Sequence, residues 1–179
     1  MTNTKKALKI IIILLISITW MLCIYKLSSM NSNNSNGKST DIISIFIEDA
    51  LEITNNYGIT SSHPNEQKIE RVSQLINAPM RKVIHATVYF VLTFFIMILM
   101  NIVLEHKKYF LSVIIALIIC IIFAGTDEYH QTFVAGRTGQ LLDVIIDTAG
   151  GIIGILFYST YQIVYKLGYK KALKEKSEI

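Results

Sequence analysis

The chain has 179 residues, 52% of them hydrophobic, and a formal net charge of +4 from 17 basic and 13 acidic side chains. That length fits one domain, and a mean hydropathy of +0.47 carried by long apolar runs makes lipid the main solvent of the fold. The basic residues sit at the ends of those runs rather than on one face, which excludes a nucleic-acid surface and makes them topology signals. Cys23 and Cys120 both lie inside apolar runs, which excludes a disulfide framework or a cysteine metal site.

Residues 1–9 carry Lys5, Lys6 and Lys9, and an apolar first span follows at 10–27. A basic start and an apolar core are also the marks of a cleaved signal peptide. Lys26-Leu27-Ser28-Ser29-Met30 offers no A-x-A-like cleavage site, however, and Leu22 before Cys23 is too large for a lipoprotein signal. An uncleaved anchor is the expectation.

Residues 28–80 are expected to form one large extracytoplasmic loop. Its 31–40 stretch is a polar tract with no core-forming content. Ile42, Ile43, Phe46, Ile47, Ala50, Leu51 and Ile53 then alternate with Asp41, Glu48, Asp49 and Glu52, a spacing that predicts an amphipathic helix on the membrane surface or on the bundle. A second short helix is predicted at Asn65–Asn77, where Ile69, Val72 and Ile76 share a face; a solvated loop is the alternative.

Three further spans are predicted at 83–104, 109–126 and 141–165, each near the ~17–25 residues that cross the hydrocarbon. The short 105–108 connection makes the second and third antiparallel neighbours. The fold class is therefore an all-α integral membrane protein, four transmembrane helices in an up-down bundle. Four spans put the N-terminus, Lys107-Lys108 and the basic tail 166–179 on one side. These three groups hold ten of the 17 basic residues, which assigns that side to the cytoplasm. Arg81, Lys82 and the 127–140 loop then open outward.

The outward-opening residues are the informative ones. Asp127 and Glu128 end the third span and Arg81-Lys82 begin the second, in each case the wrong charge for the helix dipole. Both choices make sense if neighbouring helices bring acids and bases together at the outer rim; snorkelling of Arg81 and Lys82 to the interface is the plainer reading. In the fourth span Asp143, Asp147, Gly150 or Gly151, and Gly154 fall on one face. Close helix packing accounts for the glycines but not for two carboxylates. His85 lies one turn into the second span with Tyr89 four residues on, and a hydrogen-bonded packing role is its plainer reading. Trp20, Tyr109, Tyr158, Tyr161 and Tyr165 read as interface aromatics.

Lys82-x-x-His85-x-x-x-Tyr89, then Asp127-Glu128-x-x-Gln131-x-Phe133-x-x-Gly136-Arg137, then Asp143-x-x-x-Asp147-x-x-Gly150-x-x-x-Gly154 resemble the VanZ-like family of bacterial membrane proteins, over residues 80–165. Two positions depart from its usual pattern: Asp147 stands where Asn is common and Gln140 where Ser is common. The resemblance implies a multi-pass protein of the bacterial cell membrane. It also implies a link to resistance against the glycopeptide teicoplanin, and membership among membrane enzymes of lipid head groups or lipid-linked phosphates.

Two readings of the function follow. In the first, an enzyme acts at the outer leaflet on a phospholipid or a lipid-linked cell-wall intermediate. Its candidate catalytic residues are His85, Asp127, Glu128, His130 and Asp143; Arg81, Lys82, Tyr89, Gln131, Arg137 and Asp147 are the candidates for binding substrate. In the second, the same rim binds and shields a lipid-linked precursor without turnover. A transporter is the weakest reading, since no broken-helix repeat is evident. Asp143 and Asp147 would orient the bases or hold a divalent metal, but no sequence-local ligand pair such as His-x-x-x-His is present, so no metal is assigned and the cofactor stays open.

Overall fold

The computed structural model describes residues 3–30, 41, 43–49, 52–53, 66–104 and 108–177. Four long helices dominate: α1 (Asn3–Ser28), α2 (Glu66–Val103), α3 (Tyr109–Gln131) and α4 (Leu141–Ser177). No strand occurs among the described residues. Each helix contains a segment long and apolar enough to cross a membrane. Helix is the conformation such runs must take, because lipid offers the backbone no alternative hydrogen-bond partner.

Burial is inverted relative to a water-soluble bundle. Leu15, Leu22, Ile122, Ile153 and Val164 are exposed, whereas Ser17, Ser28, Thr93, Asn101, Ser112, Asp127 and Asp147 are buried. Lipid takes the large apolar side chains, and small or polar residues form the seams between helices. Ser112, Ala116, Cys120 and Ala124 make one such seam along α3 at four-residue spacing.

The principal interface is α2 against α4, and glycines make it close. A Cβ on Gly150 would strike the Ala86 backbone, and one on Gly154 would strike the Phe90 carbonyl and the Thr93 hydroxyl. Gly151 faces Cys120 of α3, and Thr93 donates across the seam to the Gly151 carbonyl at 2.8 Å. The glycine stripe expected of the fourth span is thus the packing surface of α4.

Opposite ends of the bundle are pinned by different groups. At one end, Asn101 Nδ2 donates to the Tyr158 hydroxyl at 2.6 Å and the Tyr109 hydroxyl donates to Ser159 at 2.5 Å. Near mid-bundle, Trp20 donates its indole N–H to the Val88 carbonyl at 2.9 Å. Three residues expected to be interface aromatics, Trp20, Tyr109 and Tyr158, therefore bridge helices; Tyr161 and Tyr165 are exposed. At the other end the C-terminus of α1, the middle of α2 around Arg81–His85, the C-terminus of α3 and the N-terminus of α4 converge.

Two elements differ from expectation. The short helix foreseen at Asn65–Asn77 is continuous with the second span: α2 starts at Glu66 and runs through Pro79. Its buried face there is Ile69, Ser73 and Asn77, with Val72 and Ile76 exposed. Repetition at i, i+4, i+8 places the inward stripe beside, rather than on, the most apolar line. The fourth helix likewise continues past its predicted end at 165 to Ser177. Within the foreseen amphipathic helix, residues 43–49 and 52–53 are helical, with Ile43 buried and Phe46 and Ile53 exposed; Ile42, Ala50 and Leu51, like the 31–40 tract, lie outside the described residues.

Candidate functional site

The site grows out of the turn between α3 and α4. Glycine at 136 adopts φ 77°, a left-handed conformation that side chains with a Cβ resist, and the Arg137 N–H closes a turn onto the Val134 carbonyl at 3.1 Å. That turn folds Arg137 back over the end of α3, where Nη1 donates to Gln131 Oε1 at 3.1 Å. Gly139 packs so closely on the Glu128 carbonyl that a Cβ there would sit 2.7 Å from the oxygen. Glu128 then accepts from the Gln140 backbone N–H at 3.0 Å and from Gln131 Nε2 at 2.8 Å. A carboxylate thereby caps the start of α4, the end of a helix where negative charge is favourable.

Around this turn lies a cavity of about 210 Å³ lined by residues of α2, α3, α4 and the turn. Arg81, Lys82 and Arg137 supply its cations, and Glu128, Asp143 and Asp147 its carboxylates, with His85 between them. Lys82 Nζ lies 2.6 Å from Asp143 Oδ1 across the α2–α4 interface. Burial, and after it the nearby charge of Arg81, draws the Arg137 guanidinium below its usual value; a group that basic stays cationic at neutral pH. Its Nε is buried and donates to nothing among the described residues, and the side chain lines the chamber.

A second, apolar cleft of about 120 Å³ adjoins the first, between α1 and α2. Ile24, Leu27 and Met30 line one side and Ile84 and Val88 the other. Arg81, His85 and Arg137 line both cavities. A polar chamber and a greasy cleft thus meet at the same three cationic or cationisable side chains.

Beneath the chamber, His85, Asp127 and Asp147 bring one donor atom each to within 4.8 Å of one another. Ser28 of α1 donates to Asp127 Oδ2 at 2.9 Å, and Gln131 reaches the same oxygen at 3.4 Å. Tyr89 is fully buried, with its ring 5.9 Å from that of Phe123.

This placement sorts the residues singled out in the sequence. Arg81, Lys82, His85, Glu128, Gln131, Arg137, Asp143 and Asp147 line the chamber. Asp127 and Tyr89 are buried below it rather than lining it. His130 points elsewhere: it stacks on Tyr25 of α1 with ring centroids 4.2 Å apart and meets Ser29 Oγ at 3.0 Å. The expected meeting of acids and bases at this rim is seen in part: Arg81, Lys82 and Glu128 line one chamber, Asp127 lies below it, and Lys82 pairs with Asp143 of α4. Ser28 and Ser29 were invisible as site residues in the sequence, where serines closing an apolar span read as an ordinary helix end.

The profile of the VanZ/LLP1 family matches residues 11–164. The chain belongs to the VanZ/LLP1 family. The matched stretch of this VanZ/LLP1 protein begins within α1, in accord with the part α1 plays in holding Asp127 and flooring the apolar cleft. Neither a curated protein nor a solved structure matches the chain.

Proposed function

We propose that this VanZ/LLP1 protein is an enzyme of the outer membrane leaflet that acts on the head group of a phosphate-bearing lipid. The observation that carries the reading is the junction of the two cavities. A phosphate in the polar chamber would meet the guanidinium of Arg137, whose planar fork suits phosphate oxygens, and the cations Arg81 and Lys82. The lipid's apolar chain would continue into the cleft lined by Ile24, Leu27, Ile84 and Val88. A soluble metabolite needs no such cleft, and an apolar ligand needs no such chamber.

His85 stands where the cavities meet, within reach of whatever joins head group to chain, and is the proposed base or nucleophile. Asp143 and Glu128 hold Lys82 and the start of α4 in place. His130 lies against Tyr25 and Ser29 of α1 and is given no part in this reading. Lipid-linked cell-wall intermediates carry the required chemistry, and on that substrate the protein would raise tolerance to teicoplanin-type glycopeptides.

Purified protein in nanodiscs, supplied with head-group-labelled phospholipid and polyprenyl-phosphate lipids, tests the proposal. Release or transfer of label that is lost in His85→Ala supports it. Retention of a phosphate-bearing lipid without any product would favour a non-catalytic binder, and neither retention nor product would end both readings.

A further inference from the structure

We infer that His85, Asp127 and Asp147 form a binding site for one first-row divalent cation, zinc or manganese, at the floor of the polar chamber. The site would make His85 an ion ligand in place of the base or nucleophile proposed above and leaves the lipid substrate unchanged; metal binding without lipid and lipid binding without metal are separate outcomes. Each ligand comes from a different helix, α2, α3 and α4, which is why no sequence-local spacing announces the site.

Three observations converge on it. Among the described residues, Asp127 is 2% and Asp147 1% exposed, yet Asp127 Oδ1 and both oxygens of Asp147 accept no hydrogen bond. The Tyr89 hydroxyl, fully buried beside them, is likewise without a partner. Native proteins rarely bury carboxylate oxygens unsatisfied, because leaving water uncompensated costs several kcal/mol. A dication compensates two carboxylates at once and makes the trio electrically neutral.

The distances suit an ion better than hydrogen bonds. His85 Nδ1 lies 3.9 Å from Asp147 Oδ2, too long for a hydrogen bond. Two donors bound to one ion at about 2.0–2.2 Å each are separated by up to about 4.4 Å. The spread of 4.8 Å within the trio comes inside that reach with a small χ rotation. The surrounding contacts have the character of supports: Ser28 and Gln131 both donate to Asp127 Oδ2, and Oδ1 accepts no hydrogen bond among the described residues. Such outer partners orient metal ligands and tune them. The nearby Lys82 is already paired with Asp143.

Ligand type narrows the ion. One imidazole with two carboxylates suits zinc, manganese or ferrous iron more than magnesium or calcium, which prefer oxygen alone. Zinc and manganese need no reducing environment, and three protein ligands leave coordination positions open, as in catalytic rather than structural sites. His85 and Asp147 also line the chamber, so those open positions face the space where a phosphate oxygen would lie.

The test uses the full chain in detergent, stripped with a chelator and dialysed against zinc, manganese or magnesium without lipid substrate. Elemental analysis should find one zinc or manganese per chain and no retained magnesium. Cobalt loading should produce visible d–d bands. Asp147→Asn and His85→Ala should weaken binding by about 100-fold or more, and Ser28→Ala by about tenfold. His130→Ala, outside the cluster, should leave affinity within about twofold. Less than a tenth of an equivalent in the wild type overturns the inference, as does unchanged affinity in Asp147→Asn and Asp127→Asn. Should a variant fail to fold, stoichiometry and cobalt spectra of the wild type still decide. Metal bound by a protein that neither binds nor turns over phosphate lipid would leave this site standing and remove the proposed function.

Discussion

Lys82 and Asp143 show how little a single contact at this site contributes to stability and how much it contributes to placement. Their side chains are 37% and 29% exposed, so solvent screens the pair and its net worth is below about 1 kcal/mol. Lys82→Met should therefore lower the melting temperature by only a few degrees, measured in detergent, while releasing Asp143 and weakening phosphate binding. Asp127 is the opposite case. It is buried, and Ser28 and Gln131 hold it; Asp127→Leu would strand both donors and remove a cluster ligand, a loss of about 1–3 kcal/mol per unsatisfied group. Pairings of this kind are where the sequence ran out. The charges of Arg81-Lys82 and Asp127-Glu128 implied that acids and bases gather at one rim, as Arg81, Lys82 and Glu128 do, but not that glycine contacts seat α2 on α4 and put Lys82 against Asp143. His130 was drawn toward the site by adjacency in the chain. Helical geometry separates it: two residues beyond Glu128 is about 200° around the axis, and it meets Tyr25 of α1.

At the scale of elements, the α2–α4 seam carries the prediction. Gly150→Leu and Gly154→Leu place side chains into the backbone of Ala86 and Phe90; overpacking of that kind typically costs about 1–3 kcal/mol, and more where backbone must move. Gly125 and Gly168 meet nothing within 4 Å, so Gly125→Ala and Gly168→Ala should be neutral or gain up to about 1 kcal/mol from helix propensity. Yield of monodisperse protein and thermal aggregation temperature would separate the two classes. The spans themselves were legible, because lipid imposes apolar runs of a set length that few other constraints mimic. Helix ends were not: the first turns of α2 and the last of α4 lie beyond the apolar stretch, where polarity gives no sign that helix continues. Two of the three residues on the inward line Ile69–Ser73–Asn77 are polar, so an apolar pattern could not find it.

For the whole molecule, the even number of spans fixes which ends travel together, and the basic residues predict which side each faces. With Cys23 and Cys120 replaced, Thr138→Cys should react with a membrane-impermeant maleimide in intact cells, and Lys108→Cys only after permeabilisation. The reverse pattern would put the chamber beside the cytosol. The sequence foretold that polar residues of three spans meet, because each is too costly to face lipid alone. It did not foretell that α1 completes the site, since Ser28 and the Ile24–Leu27 surface carry no chemical signal until packed. The most direct test of the account is a comparison of two lipids differing only in phosphate, a polyprenyl phosphate and the matching polyprenol, by quantitative native mass spectrometry of the protein. The phosphorylated lipid should be retained at least about tenfold more tightly, with the preference abolished in Arg137→Ala. Equal retention of the two lipids by the wild type would contradict it.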